Sequence, residues 1–296
     1  MWVNPYEGLE GQRWKKVNFH THAGTGLGTC GSNPIDAVVE VYKQYQYDAL
    51  CISNHDLYTD TSAFTDDQIT MMPGVEYSND GHMLTIGVDR SLHEFGHQQT
   101  VDQVRAMGGF TILCHPHWIR PDYWPFRAMM DLRGYIGIEV INMLIYRLTG
   151  TGLATDVWDE LLSAGRLTYG FANDDFHLLG DVSRSYTLIC ADGSDLASLR
   201  PALDTGKLCA STGLYPVSLS LAGGVLRAEA CLPSSPGHEL LYRFIADGGR
   251  ILKEQKGRAA SCDVGDATYV RAEAHADSGA MLLFQPVYNS RALAKE

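Results

Sequence analysis

Imidazole and carboxylate side chains recur in this chain at the ends of apolar runs. In order they are VNFHTH (His20, His22), ISNHD (His55, Asp56), PGVEYSNDGH (Glu76, His82), TILCHPH (His115, His117) and FANDDFH (Asp174, Asp175, His177). Most follow a short β-branched or aromatic stretch, where a strand ends and delivers its side chains to one rim. Imidazole combined with carboxylate suits borderline divalent ions such as zinc, manganese or iron. One histidine after a strand carries little information, but five such sites in succession point to metal chemistry. Glu76 ends an apolar strand, and burying it without a cation would be costly. Asp174 and Asp175 are neighbours whose side chains diverge, and Asp175 stands i, i+2 from His177. Asp56 reads as a supporting residue. His93, His97, His238 and His275 lack any such framing and read as ordinary surface or hydrogen-bonding residues.

The elements that must position these groups alternate from about residue 17 to 190. Strands are expected at Val17–Phe19, Ala49–Ser53, Met71–Glu76, Met83–Val88, Phe110–Cys114, Ile136–Ile141 and Leu167–Ala172. Between them, Ile35, Val38, Val39, Tyr42 and Tyr45 form a helical stripe after Pro34. Further helices are expected at TVDQVRAM, Trp124–Leu132 and Asp156–Ala164. Such alternation implies an α/β fold with a mostly parallel sheet or barrel, whose functional groups gather at the C-terminal ends of strands. After about Ala191 the pattern changes. One more helix, DLASLRPALDTG, gives way to short alternating runs such as VSLSLA, VLRAEACL and LLYRFIAD, the signature of a small antiparallel β domain. The expected division is 1–213 and 214–296.

Bulk properties narrow the function class. The chain has 296 residues, 45% of them hydrophobic and 20% charged, as in an ordinary globular protein. A net charge of −12 disfavours nucleic acid as a partner, because that binding relies on Lys and Arg. No apolar run approaches the ~20 residues of a membrane helix, and MWVNPYEGLEGQRWKK lacks the apolar segment of a signal peptide. A cytoplasmic protein with a small-molecule substrate and no membrane partner is expected; the oligomeric state is not legible. The seven cysteines are irregularly spaced, mostly in apolar contexts, and read as reduced core thiols. GTGLGTCG lacks the spacing and lysine of a P-loop, and no G-x-S-x-G elbow is present.

The order of motifs resembles the PHP family of metal-dependent hydrolases, named for polymerase and histidinol phosphatase. The matching residues are His20-Thr21-His22, Ser53-Asn54-His55, Gly74-Val75-Glu76, His82, His115-Pro116 and Asp175-Phe176-His177, spanning roughly residues 17–190. The β-rich tail is similar to a C-terminal domain of one subgroup. The resemblance implies a distorted (β/α)7 TIM-like barrel holding two or three divalent ions. It assigns His20, His22, Glu76 and Asp175 to one ion and makes Glu76 a bridge to a second ion on His82 and His115. A third would rest on His55 and His177. Catalytic roles fall to Glu76, Asp175 and His177.

The sequence departs from the family pattern at two places. Thr29-Cys30-Gly31 stands where many members have S-D-G, so either Cys30 is a soft ligand suited to zinc or the glycine-rich loop is merely longer and carries none. Asn54 replaces the usual Asp before His55, which would alter a supporting hydrogen bond. Three functions follow. The first is a phosphoesterase (EC 3.1) acting on a small phosphorylated metabolite through water activated between ions, with Arg184, Arg120 and His117 as substrate-binding candidates. The second is a carboxyl-ester or carbamate hydrolase, with Trp118, Tyr123 and Trp124 lining a less polar pocket. The third is a non-catalytic binding module.

Overall fold

A computed structural model describes residues 1–8, 13–121 and 123–292. The architecture is mixed α/β, rich in strand, with five short α-helices among the described residues. The helices lie where apolar spacing places them. Ile35–Gln44 buries Val38, Val39 and Tyr42 and leaves Tyr45 exposed. Leu196–Thr205 is capped by the Asp195 carboxylate accepting from Ser198 N–H, and it ends at Gly206 in the left-handed region (φ 76°).

The strands that carry the histidines do not close into the expected barrel. Trp14–Asn18, Ala49–Cys51 and Thr70–Met72 pair in parallel in one sheet. Gly74–Tyr77, Met83–Ile86, Phe110–Leu113, Gly137–Asn142 and Tyr169–Asn173 form a second. Pro73 explains the break: it has no N–H for a ladder and divides the expected Met71–Glu76 strand between the two sheets. The turn between Tyr77 and Met83 has no room for a crossover helix, so Gly74–Tyr77 and Met83–Ile86 run antiparallel. Met83–Ile86 is also antiparallel to Phe110–Leu113, across a longer connection that contains helix His97–Ala106. Single bridges, His55 to Glu76 and Thr21 to Phe176, link the sheets at the strand ends that matter for function.

At the far edge, side chains stand in for a ladder. Gln285 donates to Gly170 O and accepts from its N–H, both at 2.8 Å. Thr187 Oγ1 donates to Ala172 O at 2.9 Å and accepts from Ala172 N–H at 3.1 Å, and Ser185 Oγ donates to Asn173 O at 2.6 Å. The edge of Tyr169–Asn173 is thus satisfied without a neighbouring strand.

The first sheet runs on into the C-terminal part. Tyr186–Cys190 pairs antiparallel with Trp14–Asn18 and with Leu208–Ser211, and Leu208–Ser211 pairs with Met281–Phe284. The line between residues 213 and 214 therefore crosses one continuous sheet. One apolar cluster spans both sides of it, from Val38, Tyr42 and Leu188 to Leu226, Tyr242 and Phe244. A three-stranded antiparallel sheet, Tyr215–Ala222, Val225–Cys231 and Ala259–Asp263, packs outside. No helix among the described residues is long and apolar enough to cross a membrane.

Candidate metal centre

His20 and His22 follow Trp14–Asn18, His55 follows Ala49–Cys51, and Glu76 lies in Gly74–Tyr77. His82 precedes Met83–Ile86, His115 follows Phe110–Leu113, and Asp175 and His177 follow Tyr169–Asn173. His115 and Asp175 have positive φ (29° and 52°), a backbone conformation found where strand ends turn to aim a side chain. All eight expected ligands converge on one place.

Glu76 stands at the centre. Its Oε2 lies 3.2 Å from both His20 Nε2 and His22 Nε2, and its Oε1 lies 2.8 Å from His82 Nδ1 and 3.4 Å from His115 Nε2. Asp175 Oδ1 lies 3.3 Å from both His20 Nε2 and His22 Nε2. One carboxylate thus faces two separate groups of imidazoles, the arrangement a bridging ligand needs.

Four of these atoms test whether a cation fits. His20 Nε2, His22 Nε2, Glu76 Oε2 and Asp175 Oδ1 are buried, and none has a hydrogen-bond partner. Orphan polar atoms are costly in a protein interior, and here each of the two nitrogens lies 3.2–3.3 Å from each of the two carboxylate oxygens, a donor set that a divalent cation would satisfy. His55 Nδ1 is a further buried atom without a partner, 2.9 Å from Glu76 Oε2. The electrostatics agree. Burial alone would lower the His20 pKa, but Asp175, Glu139 and Glu76 raise it well above the usual imidazole value. Burial would raise the Glu76 pKa, yet His20, His55 and His82 hold it well below the usual carboxylate range. The site draws positive charge, which a divalent ion would supply.

No family model matches the chain, and no curated protein matches it in sequence. Two solved structures resemble it in three dimensions. One is a two-domain protein from Bacteroides vulgatus ATCC 8482, described as containing a predicted PHP-like metal-dependent phosphoesterase. It is 16% identical, with 90% of this chain and 91% of that one covered and a TM-score of 0.53. The fold is shared with that protein. The other is PsfC from Pseudomonas syringae PB-5123, 17% identical over 66% of this chain and 88% of its own, with a TM-score of 0.46.

The remaining candidates are placed differently. A cavity of about 240 Å³ opens onto the centre, lined by His55, His82, His115, His177, Trp118 and Arg147 among others. Arg120 reaches its edge, with Nη1 3.5 Å from His82 Nε2 and the guanidinium over the Trp118 ring. His117 turns away: Nδ1 is 2.9 Å from Thr151 Oγ1, and Nε2 is 3.1 Å from Asp156. Arg184 is exposed and lines a separate cavity of about 330 Å³.

Two supporting residues, Glu139 and Arg147, escaped the sequence reading, which expected a third, Tyr123, only as lining of a less polar pocket. Glu139 is buried, 2.8 Å from His20 Nδ1, and accepts from His115 N–H at 2.9 Å and from Asn142 and Asn173 at 2.8 and 2.9 Å. With Glu139 accepting from Nδ1–H, His20 presents a bare Nε2 to the centre. Its one signal was an acid in the middle of the apolar strand GIEVIN. Tyr123 OH, 2.7 Å from His115 Nδ1, orients that ring in the same way. Arg147 lines the cavity with its guanidinium bound twice to Asp181, and nothing local in the sequence distinguishes it.

Asn54 behaves as a supporting residue. Its amide donates to Ala23 O at 2.9 Å, and its oxygen accepts from Ala23 N–H at 3.1 Å. A carboxylate cannot make both bonds. Asp174, beside Asp175, points the other way and accepts from Tyr42, Tyr47 and the N–H groups of Ser183, Arg184 and Ser185. Its burial outweighs those bonds and raises its pKa to about 6.

Proposed function

We propose that this chain is a metal-dependent hydrolase of the PHP kind, and that it cleaves a small phosphate ester. The observation that carries this reading is the set of four unpartnered buried atoms from His20, His22, Glu76 and Asp175, spaced as ligands around a cation. Divalent ions bound there would lower the pKa of water and neutralise charge on the attacked group. The residues of the chain do the rest. Glu76 divides its two oxygens between the ligand groups and holds them in register, and Glu139 and Tyr123 fix the rings of His20 and His115. Arg147 and Arg120 lie on the open side of the centre, where a dianionic phosphoryl group would sit. Their planar donors suit phosphate.

A carboxyl-ester or carbamate hydrolase is the second reading, and a specific observation favours it. Trp118, Leu144, Ile145 and Leu148 line one wall of the cavity, a surface suited to an apolar acyl group. We take residues 1–213 as the catalytic part and 214–296 as a β unit that braces it. Seven free cysteines fit a reducing, cytoplasmic setting.

The test begins with elemental analysis of protein purified without an affinity tag or chelator. It continues with turnover of p-nitrophenyl phosphate and p-nitrophenyl butyrate by the same sample. Two or more equivalents of zinc, manganese or iron with phosphate-ester turnover is the expected result. Metal with turnover of butyrate alone selects the second reading, and a chain that neither holds nor takes up metal overturns both.

A further inference from the structure

The histidines on the open side of the centre leave a second donor set. His22, Cys30, His55 and His177 place one potential ligand atom each within 4.8 Å of one another. Cys30 Sγ lies 3.5 Å from His177 Nε2. The His22 ring is wholly buried, and neither of its nitrogens has a hydrogen-bond partner. Its centroid is 4.3 Å from that of His177 and 4.6 Å from that of His55. His177 Nδ1 is 3.0 Å from the Asp175 carbonyl, and donation there leaves Nε2 as the bare nitrogen facing the thiol.

The loop that carries Cys30 is fastened to the same histidines. Gly31 packs so closely on the His22 backbone that a Cβ would come within 2.5 Å of its carbonyl oxygen. Ser32 N–H donates to His177 O, and Gly24 N–H donates to Asn33 O, both at 2.8 Å. Thr29 Oγ1 binds the carbonyls of Gly24 and Gly26 at 2.8 and 2.7 Å. The extra glycine-rich residues thus form a closed structure that holds a sulfur over three imidazoles.

We propose that His22, Cys30, His55 and His177 form a thiolate-containing zinc site beside the carboxylate-bridged centre. Three nitrogens and one thiolate are a borderline-soft set that zinc fills well and that oxygen-seeking ions such as manganese or magnesium fill poorly. The site rests on the reading of the neighbouring centre, since His22 and His55 also face Glu76. It adds a selectivity that the bridged centre lacks: one position of the cluster accepts zinc or cobalt and discriminates against manganese.

Cobalt(II) titration of the metal-stripped full chain tests this by absorption. The expected result is a near-ultraviolet thiolate-to-cobalt charge-transfer band that is absent from the Cys30→Ser variant, while visible cobalt bands from the histidine–carboxylate ligands persist in both proteins. Iodoacetamide labelling read by mass spectrometry is the companion measurement, because Cys30 is the exposed cysteine and the other six are buried or half-buried. Zinc should slow its alkylation by about tenfold or more, since a metal-bound thiolate is a blocked nucleophile, and manganese should not. Visible bands without charge transfer, or charge transfer that survives Cys30→Ser, overturn the thiolate site and leave the bridged centre standing. No cobalt bands of any kind would remove the metal reading altogether.

Discussion

The cluster around Glu76 and the cluster around Arg271 both hide ionisable groups from water, and they are finished in opposite ways. Arg271 is 2% exposed, and its guanidinium meets both oxygens of Asp159 at 2.6 and 2.7 Å and also contacts Glu273. Tyr269 OH donates to Asp159 at 2.8 Å, and Glu273 lies 2.9 Å from His275 Nε2. No buried side-chain atom of that network lacks a partner among the described residues, and it ties helix Thr155–Ser163 to strand Tyr269–His275. At Glu76 six buried atoms of five residues have no hydrogen-bond partner: four nitrogens of His20, His22 and His55 on one side and one oxygen each of Glu76 and Asp175 on the other. Saturated buried charge is a clamp. Unsaturated buried charge, converging on one point, is a site awaiting a ligand.

Substitutions can break or sharpen that contrast. The largest effect should come from Glu76→Gln, which removes the bridging charge. Bound metal and turnover should fall together, turnover by about 10³-fold or more, with the urea midpoint of the metal-free protein little changed. Retained turnover would sink the bridged centre. Arg271→Met should do the reverse, leaving metal content intact while lowering stability by about 3–5 kcal/mol, because two carboxylates lose their counter-charge. Urea unfolding measures it, and metal loss at unchanged stability would mean that the two clusters had been assigned the wrong way round.

Acid should attack the clamp through Glu273. Burial raises its pKa, but hydrogen bonding from His275 and the charge of Arg271 bring it down to about 2. A depressed carboxylate contributes stability that is present above its unfolded pKa of about 4.3 and is lost as pH falls towards the folded value, amounting to about 3 kcal/mol. In the metal-free protein Glu273→Gln should therefore flatten the pH dependence of stability between about 4.5 and 2; an unchanged acid limb would remove Glu273 from the clamp. The smallest of the four effects is expected at Glu139→Gln. The variant keeps an acceptor for His20 but loses the charge, and isothermal titration should show zinc affinity weakened by about 10–100-fold. Unaltered affinity would reduce Glu139 to a packing residue.

The candidate ligands were legible because metal chemistry restricts residue type so severely. His20, His22, His55, Glu76, His82, His115, Asp175 and His177 each end or follow an apolar run, and all eight meet in the structure. Substrate-facing arginines carry no comparable mark. Arg184 and His117 sit near the motifs in sequence yet point elsewhere, and Arg147 reaches the cavity from a one-turn 3-10 helix with no motif.

Sequence alone therefore determined the strand–helix alternation, the identity of the donors and their delivery by strand ends, since apolar periodicity and donor chemistry are local properties. Tertiary structure decided the rest. It set which nitrogen of each ring faces inward, because that depends on distant partners such as Glu139 and Tyr123. It also decided that Pro73 divides the strands between two open sheets, and that side chains from Thr187 and Gln285 replace a closing ladder. Register, ring orientation and sheet closure are set by contacts between residues far apart in the chain, and no local pattern encodes them.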